Sequence, residues 1–246
     1  MKYMGSKSRI AKYIVPIIQG YIDCSDTDKY YEPFVGGANV IDKIKSSHKY
    51  ASDLNPYLIA LLKHVQSGGE LYGEVPKELY DKARSAFSTG DTSGFKDWQI
   101  GNIGFIASYN GRWFDGGYAK PGYEKTKNGL RFRDYYREAS DNLMEQAPQL
   151  KGITFHACNY EDAHPKGFVV YCDPPYAGTK QYANALKFDY VKFWDTMRRW
   201  AASNIVLVSE QSAPDDWNAI WEQTVNRSIK ADDKRAATEK LFMMKR

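Results

Sequence analysis

Short apolar runs alternate with longer segments of helical periodicity in the first and last parts of the chain. Runs of β-branched and aromatic residues predict buried strands, and apolar residues three and four positions apart predict amphipathic helices. The predicted helices cover residues 8–20, 56–66, 76–87, 98–108, 134–147 and 190–202. The predicted strands cover 49–52, 153–157, 168–172, 204–208, 219–229 and 239–244, and a strand, a turn and a helix follow one another across 30–46. This alternation predicts a doubly wound α/β fold with a mostly parallel sheet.

The alternation stops after residue 66, where Ser67, Gly68 and Gly69 begin a different segment. Between residues 67 and 150 the pattern is helical, apart from an irregular glycine-rich piece from Asn110 to Gly129. We therefore expect residues 1–66 and 151–246 to form the sheet domain, and residues 67–150 to form an inserted, mainly helical domain. A chain of 246 residues with 43% hydrophobic content can bury one substantial core beside such an insertion.

The strand predicted at 168–172 ends in the tetrapeptide Asp173-Pro174-Pro175-Tyr176. In an open α/β sheet, ligands bind at the carboxyl ends of the strands, so this loop is a candidate site. The Asp173 carboxylate and the Pro174 carbonyl are acceptors that two consecutive prolines hold in place. Such acceptors suit the exocyclic amine of a nucleobase during methylation, and the Tyr176 ring, without its hydroxyl, suffices for base stacking. The alternative is a rigid turn after a strand.

A second candidate site is the segment Glu32-Pro33-Phe34-Val35-Gly36-Gly37-Ala38. A strand that runs into glycines forms a tight turn, and the glycines let its backbone approach a nucleoside-containing ligand closely. The segment lacks the Gly-x-Gly-x-x-Gly pattern, which disfavours nicotinamide chemistry. Asp53 ends the next strand, where a carboxylate can accept hydrogen bonds from ribose hydroxyls. The alternative role for Asp53 is to cap the following helix.

Positive charge is concentrated in the middle of the chain. Residues 112–137 contain seven basic and three acidic side chains, an excess that equals the formal net charge of +4 of the whole chain. The basic residues are Arg112, Lys120, Lys125, Lys127, Arg131, Arg133 and Arg137, interleaved with Trp113, Phe114, Tyr118, Tyr123, Phe132, Tyr135 and Tyr136. Cations mixed with aromatic rings suit contact with phosphates and bases. The mixture predicts a nucleic-acid surface, and the alternative is a solvated basic face beside an aromatic core.

Four segments together resemble the Dam-like family of DNA adenine N6-methyltransferases. They occur in the family's order, as Lys2-Tyr3-Met4-Gly5-Ser6-Lys7, Glu32-Pro33-Phe34-Val35-Gly36, Ser52-Asp53-Leu54-Asn55 and Asp173-Pro174-Pro175-Tyr176. The resemblance implies a Rossmann-like methyltransferase fold and S-adenosylmethionine as the methyl donor. It implies a catalytic loop of Asp173, Pro174, Pro175 and Tyr176. It also implies cofactor contacts, which are Tyr3, Lys7, Phe34, Gly36, Asp53 and Asp173.

In this family the region corresponding to the insertion recognises the target DNA, and Tyr109-Asn110-Gly111-Arg112 resembles a family motif near the DNA. The resemblance therefore implies double-stranded DNA as the partner. Asn and Arg side chains can read adenine and guanine edges. We expect DNA contacts from Asn110, Arg112, Lys125, Lys127, Arg131 and Arg133. Because N6 is paired inside the duplex, we expect the target adenine to rotate out of the stack into the Asp173 loop.

The chain departs from the family pattern at two positions. Ala38 stands where the family usually has a second glycine of the turn, and Ser6 stands where it often has a glycine. Because alanine is strained in the left-handed region, we expect a negative φ at Ala38.

Composition fits an intracellular enzyme. No segment resembles a signal peptide and no apolar run is long enough to cross a bilayer, so we expect a cytoplasmic protein without membrane contact. Cys24, Cys158 and Cys172 lack the pair spacing of metal ligands, so we expect free thiols and no metal site. We also expect a monomer or a weak dimer.

Three alternatives to adenine methylation remain open at this point. An N4-cytosine DNA methyltransferase performs nearly the same chemistry, although Asp173 at the head of the loop favours adenine. The long basic insertion argues against an RNA methyltransferase. A non-catalytic DNA-binding protein on a methyltransferase scaffold is disfavoured because Asp53 and Asp173 are both present.

Overall fold

The computed structural model describes residues 1–126, 129–176, 188–230 and 233–245, and for 225–230 and 233–237 it describes the backbone alone. The strands are β1 (Lys29–Glu32), β2 (His48–Asp53), β3 (Gly122–Thr126), β4 (Gly129–Arg133), β5 (Ile153–Ala157), β6 (Val169–Cys172), β7 (Ile205–Glu210), β8 (Trp217–Lys230) and β9 (Asp233–Met244). The helices are α1 (Ala11–Asp23), α2 (Pro56–Gln66), α3 (Lys77–Thr89), α4 (Asp97–Gly101), α5 (Tyr135–Gln146) and α6 (Tyr190–Ala201). None of these helices is long and apolar enough to span a bilayer in the described part of the chain.

Seven strands form the central sheet in the order β5-β2-β1-β6-β7-β9-β8. The first five strands of this order run parallel, and β9 and β8 close the edge in antiparallel pairing. The mostly parallel α/β sheet predicted from the sequence is therefore confirmed. Both terminal strands are longer than predicted, because the β8–β9 ladder extends as far as the pair Lys230 and Asp233.

Helices cover both faces of the sheet, as the alternation of side chains along β6 shows. Val169 and Tyr171 point into the core cluster that contains the apolar side chains of α1 and α2. Val170 and Cys172 point into the other cluster, which is formed with Phe193 and neighbouring residues of α6. Successive side chains of a strand alternate between its two faces. Because both faces of β6 are covered, its sequence is a continuous apolar run.

Residues 67–150 contain α3, α4 and α5, as the periodicity predicts, and α4 continues as a π-helix over Asn102–Ile106. Apolar side chains of this region, such as Tyr80 and Ile100, belong to the same core cluster as the sheet. The division into a sheet domain and an inserted domain stays a prediction.

Two expectations for local structure are wrong. The piece from Asn110 to Gly129, expected to be irregular, contains β3 and leads into the antiparallel hairpin β3–β4. The side chains of this hairpin are mostly exposed. The strands therefore have no buried face to produce an alternation of apolar and polar residues. The helix expected after the glycine turn is one 3₁₀ turn, Ile41–Lys43, because Ile44 is already extended with φ −78° and ψ 134°.

The contact between α2 and α4 gives a test of the packing. A Cβ added at Gly101 would lie 2.2 Å from the Tyr57 carbonyl oxygen, whereas one added at Gly20 of α1 would meet nothing within 4 Å. Gly101→Ala is expected to lower the free energy of unfolding by about 1–3 kcal/mol through overpacking. The matched control Gly20→Ala should raise it by roughly 0.5–1 kcal/mol, because alanine is the better helix former. Urea titration measures both, and equal effects would contradict the close helix contact.

Candidate active site

The candidate site residues meet at one edge of the sheet. The strands β2, β1 and β6 are neighbours and run parallel, so their carboxyl ends lie side by side. Asp53 is the last residue of β2, the glycine turn follows β1, and Asp173 follows β6. The fold therefore brings together three segments predicted from separate parts of the sequence, at the edge where α/β sheets bind ligands.

Asp53 ties the end of β2 to the glycine turn. Its Oδ2 accepts a hydrogen bond from the Gly36 N–H at 3.1 Å, and its Oδ1 accepts one from the Asn55 N–H at 3.0 Å. The alternative role as a helix cap is wrong, because the side chain of Asn55 caps α2 by accepting from Tyr57 and Leu58. Burial raises the pKa of Asp53, and its backbone hydrogen bonds oppose that rise. The carboxylate retains acceptor capacity for a further donor.

Tyr3 lies against the glycine turn. Gly36 has φ +47°, and a Cβ added there would lie 2.9 Å from Cε1 of Tyr3. A Cβ at Gly37 would lie 2.9 Å from the Cβ of Tyr3. Only glycines leave room for this approach, so the N-terminal segment and the turn form one surface.

Ala38 has φ +55°, so the expectation of a negative φ is wrong. A left-handed alanine costs roughly 1–2 kcal/mol and persists only where neighbouring contacts impose it. The amide of Gln146, at the end of α5, donates to the carbonyl oxygens of Gly37 at 3.2 Å and Ala38 at 2.9 Å. It also donates to Oδ2 of Asp42 at 2.9 Å. The turn keeps the shape of a glycine turn because α5 holds it.

The loop after β6 begins with a largely buried ion pair. The Lys7 ammonium lies 2.6 Å from Oδ1 of Asp173, and the two side chains are 10% and 19% exposed. Burial raises the pKa of Asp173, and the nearby Lys7 charge opposes that rise. Pro174 is buried and Pro175 is exposed, and the Pro175 carbonyl accepts from the Tyr190 hydroxyl at 2.8 Å. A desolvated carboxylate with a specific charge partner in such a place marks a candidate functional group.

Tyr176 is more enclosed than a stacking platform requires. Its side chain is 7% exposed, and the Lys7 ammonium lies 4.3 Å from the ring centroid. The hydroxyl donates to Oε2 of Glu239 at 2.6 Å, so it has a partner that the sequence did not indicate. Burial raises the pKa of Tyr176 far above its ordinary value, which keeps the hydroxyl protonated as a donor. Stacking of a base on this ring stays a prediction.

Phe34 lies on the α6 side of the sheet. Its ring centroid is 5.0 Å from that of Tyr160 and 5.9 Å from that of Phe193. Tyr3, by contrast, packs on Phe105 at 5.6 Å in the other core cluster. The two predicted aromatic contacts therefore approach the glycine turn from different sides.

Two buried carboxylates at this edge were not among the candidate site residues. Glu32 is 2% exposed and accepts a hydrogen bond from the Tyr30 hydroxyl at 2.6 Å, and burial raises its pKa well above the ordinary value. Glu32 could have been identified from the sequence, because an acidic residue that ends an aromatic strand is unusual. Nothing in the sequence indicated Glu239, since only the folding of β9 against the sheet brings it to the loop after β6.

The residues predicted to contact DNA fall into two groups. Asn110 and Arg112 are exposed, and Gly111 between them packs so closely on the N-terminal segment that a Cβ would lie 2.6 Å from the Lys2 carbonyl oxygen. This motif therefore lies next to Tyr3. The second group is on the hairpin β3–β4, where Lys125 and Arg131 are exposed.

Arg133 differs from the other predicted DNA contacts because it is already paired. It forms ion pairs with Glu124, at 3.0 Å, and with Glu138 of α5. Lys127 lies outside the described residues.

Large apolar side chains on one face of the hairpin are exposed to solvent. Tyr123, Leu130 and Phe132 are 74%, 69% and 55% exposed, and the Tyr123 and Phe132 rings lie 5.3 Å apart across the two strands. Lys125 shares this face, opposite Leu130. Grouped exposed hydrophobic residues commonly mark an interaction surface.

Within the described ranges, no group of three or more histidine, cysteine, aspartate or glutamate side chains is placed to hold a metal ion.

The model of one protein family matches residues 3–203, and its description is D12 class N6 adenine-specific DNA methyltransferase. The matched range includes Tyr3, the glycine turn, Asp53 and the loop at Asp173. A comparison with curated proteins gave no match. The resemblance to adenine N6-methyltransferases that the four motifs indicate is thereby confirmed.

Glu32 gives a test of the electrostatics at this edge. Because its folded-state pKa is raised, the wild type loses stability as pH rises above the unfolded value of about 4.3. Glu32→Gln keeps an acceptor for Tyr30 and removes this ionisation. The free energy of unfolding of the variant, relative to that of the wild type, should rise by more than about 1 kcal/mol between about pH 5 and about pH 8. This follows because one pKa unit corresponds to about 1.4 kcal/mol.

Denaturant titrations at the two pH values measure this gain. The control Glu222→Gln removes a carboxylate that is 65% exposed and should show no such difference. A Glu32→Gln variant whose stability relative to wild type is the same at both pH values would contradict the assignment.

Proposed function

The chain belongs to the D12 class N6 adenine-specific DNA methyltransferase family, and on this premise we propose that it methylates adenine at the Asp173 loop with S-adenosylmethionine as donor. The protein is accordingly an enzyme that methylates N6 of adenine in DNA. The observation that carries the assignment of the site is the buried pair of Lys7 and Asp173, placed beside the glycine turn. The family match decides for adenine over cytosine and for an enzyme over a non-catalytic DNA-binding protein.

The residues at the sheet edge fit the proposed donor. Asp53 has acceptor capacity left for ribose hydroxyls beyond its bonds to Gly36 and Asn55. The glycine turn offers a close backbone approach, with Tyr3 on one side and Phe34 on the other. Lys7 provides a cation for the donor's carboxylate, which would share that ammonium with Asp173. When bound, S-adenosylmethionine supplies a methyl group on a sulfonium, which is a strong leaving group.

The loop residues would act by holding the amine of the target base. The Asp173 carboxylate and the Pro174 carbonyl would each accept one hydrogen bond from the amine. These two bonds would orient the nitrogen for in-line attack on the methyl group. The Lys7 charge opposes the rise in the pKa of Asp173 that burial causes, and so favours the charged, accepting form. Preorganised acceptors and alignment of the reactants provide most of the acceleration in such a site, and the proton leaves during or after transfer.

The region from 67 to 150 is proposed to hold double-stranded DNA. Asn110 and Arg112 lie exposed beside Tyr3, and the exposed face of β3–β4 adds Lys125 and three apolar side chains. This arrangement lets the hairpin contact the duplex while the target adenine, which is otherwise paired, rotates into the loop. Arg133, with its two carboxylate partners, is better suited to hold the hairpin against α5.

Replacement of Asp173 tests the proposed chemistry. Asp173→Asn keeps the size of the side chain but removes the negative charge, so methyl transfer should fall by more than about 100-fold. The control Asp195→Asn changes a carboxylate of α6 that is 63% exposed and should leave turnover unchanged. Both variants are incubated with duplex DNA and donor, the DNA is digested, and N6-methyladenine is quantified by mass spectrometry. Near-wild-type turnover by a folded Asp173→Asn protein would refute the role of the loop.

Replacement of hairpin cations tests the DNA surface. Lys125→Gln combined with Arg131→Gln should weaken duplex binding and reduce the slope of log affinity against log salt by about 1–2, because each phosphate contact releases counterions. Arg133→Gln serves as the comparison and should chiefly lower thermal stability, since it breaks two ion pairs. Binding is followed by fluorescence anisotropy across a salt series. An unchanged slope in the double variant would assign these cations to a solvated face.

A further inference from the structure

Glu239 of β9 reaches the catalytic loop because of the way the sheet is closed. The strand β9 runs antiparallel to β7, and the last pair between them joins Glu210 to Lys240. Glu239 precedes Lys240 in β9 and therefore lies just beyond the carboxyl end of the antiparallel β7. That end belongs to the edge at which the parallel strands present Asp53 and Asp173. The strand β9 lies outside residues 3–203, the range that the family model matches.

The side chain of Glu239 is buried against the last residue of the loop. Glu239 and Tyr176 are each 7% exposed, and the Tyr176 hydroxyl donates to Oε2 of Glu239 at 2.6 Å. A buried carboxylate is costly unless it is hydrogen-bonded, and bonds to a charged acceptor are among the stronger ones. The bond therefore fixes the Tyr176 ring relative to the sheet.

The loop is consequently held at both ends. Lys7 pairs with Asp173 at the first residue and lies over the Tyr176 ring at the last, while Glu239 holds the Tyr176 hydroxyl. Pro174, whose carbonyl is the second proposed acceptor, lies between these two fixed points. A loop fixed at one end only would let that carbonyl move relative to Asp173.

We propose that Glu239 is a positioning residue for methyl transfer, which acts through its hydrogen bond to Tyr176 to fix the geometry of the Asp-Pro-Pro-Tyr loop. This inference rests on the proposed function of the loop. Glu239 does not touch the reacting atoms. Its effect is on the alignment of the two acceptors, so it concerns the rate of the chemical step rather than the binding of donor or DNA.

The test is a double-mutant cycle on the full-length protein. Glu239→Ala should lower kcat by about 10- to 100-fold, because small misplacements of reacting groups have effects of that size. The KM values for donor and DNA should change less than about twofold, as expected for an interaction that matters only in the transition state. Glu239→Gln keeps an acceptor for the hydroxyl and should recover most of kcat.

Tyr176→Phe removes the same bond from its other side. It should lower kcat as much as Glu239→Ala does, and the combined variant should be no slower than either single variant. The cycle isolates this bond from the other contacts of the two side chains. The matched control is Glu222→Ala, which removes an exposed carboxylate of β8 paired with Lys240 at 3.4 Å and should leave kcat unchanged.

Three outcomes would overturn the inference while leaving the proposed function in place. They are a Glu239→Ala enzyme with wild-type kcat, a Tyr176→Phe enzyme with wild-type kcat, and losses that multiply in the combined variant. If Glu239→Ala does not fold, as judged by circular dichroism, Glu239→Gln and Tyr176→Phe complete the comparison, and a Tyr176→Phe enzyme with wild-type kcat overturns the inference. An inactive wild-type protein, by contrast, would refute the proposed function itself.

Discussion

The cost of keeping the Asp173 carboxylate away from water is the constraint around which this site is built. A buried charge is strongly unfavourable unless a counter-charge or hydrogen-bond donors compensate it. The Lys7 ammonium provides that compensation at 2.6 Å. The pair requires the N-terminal segment to lie across the carboxyl ends of β1 and β6. The same segment places Tyr3 on the glycine turn, so this ion pair lies where three distant parts of the sequence meet.

Acidic side chains cluster at this edge of the sheet beside Lys7. Glu32 and Glu239 are buried here, Asp173 is largely buried, and burial raises the pKa of both Glu32 and Asp173. Hydroxyl donors from Tyr30 and Tyr176 satisfy the two glutamates without adding positive charge. Under the proposed function, an edge rich in hydrogen-bond acceptors suits a site that holds a neutral amine.

The sequence predicted those features of the fold that depend on local patterns. The apolar run ending at Cys172 and the helical period over 56–66 both correspond to elements with nearly the same bounds. The hairpin β3–β4 was missed because it buries no face, and without burial there is no alternation of apolar and polar residues to detect.

Site residues that directly end or follow a strand could be predicted from the sequence. Features of the site that depend on contacts between distant parts of the chain could not. Asp53 and Asp173 could be placed at the sheet edge because parallel strands bring their carboxyl ends together. The φ of Ala38 could not be foreseen, since a hydrogen bond from Gln146, more than a hundred residues away in the chain, supports its left-handed conformation. The partner of Tyr176 depended in the same way on the return of β9 to the sheet.

The amide of Gln146 has a thermodynamic consequence. It joins the last turn of α5, at the end of the region proposed to hold DNA, directly to the backbone of the turn proposed to hold the methyl donor. Any displacement of α5 on DNA binding would be transmitted to this turn through two hydrogen bonds. Coupling between binding sites is reciprocal, so whatever factor DNA applies to the affinity for the donor, the donor must apply to the affinity for DNA. The coupling between the two proposed binding regions is thereby linked to the hydrogen bonds of a single side chain.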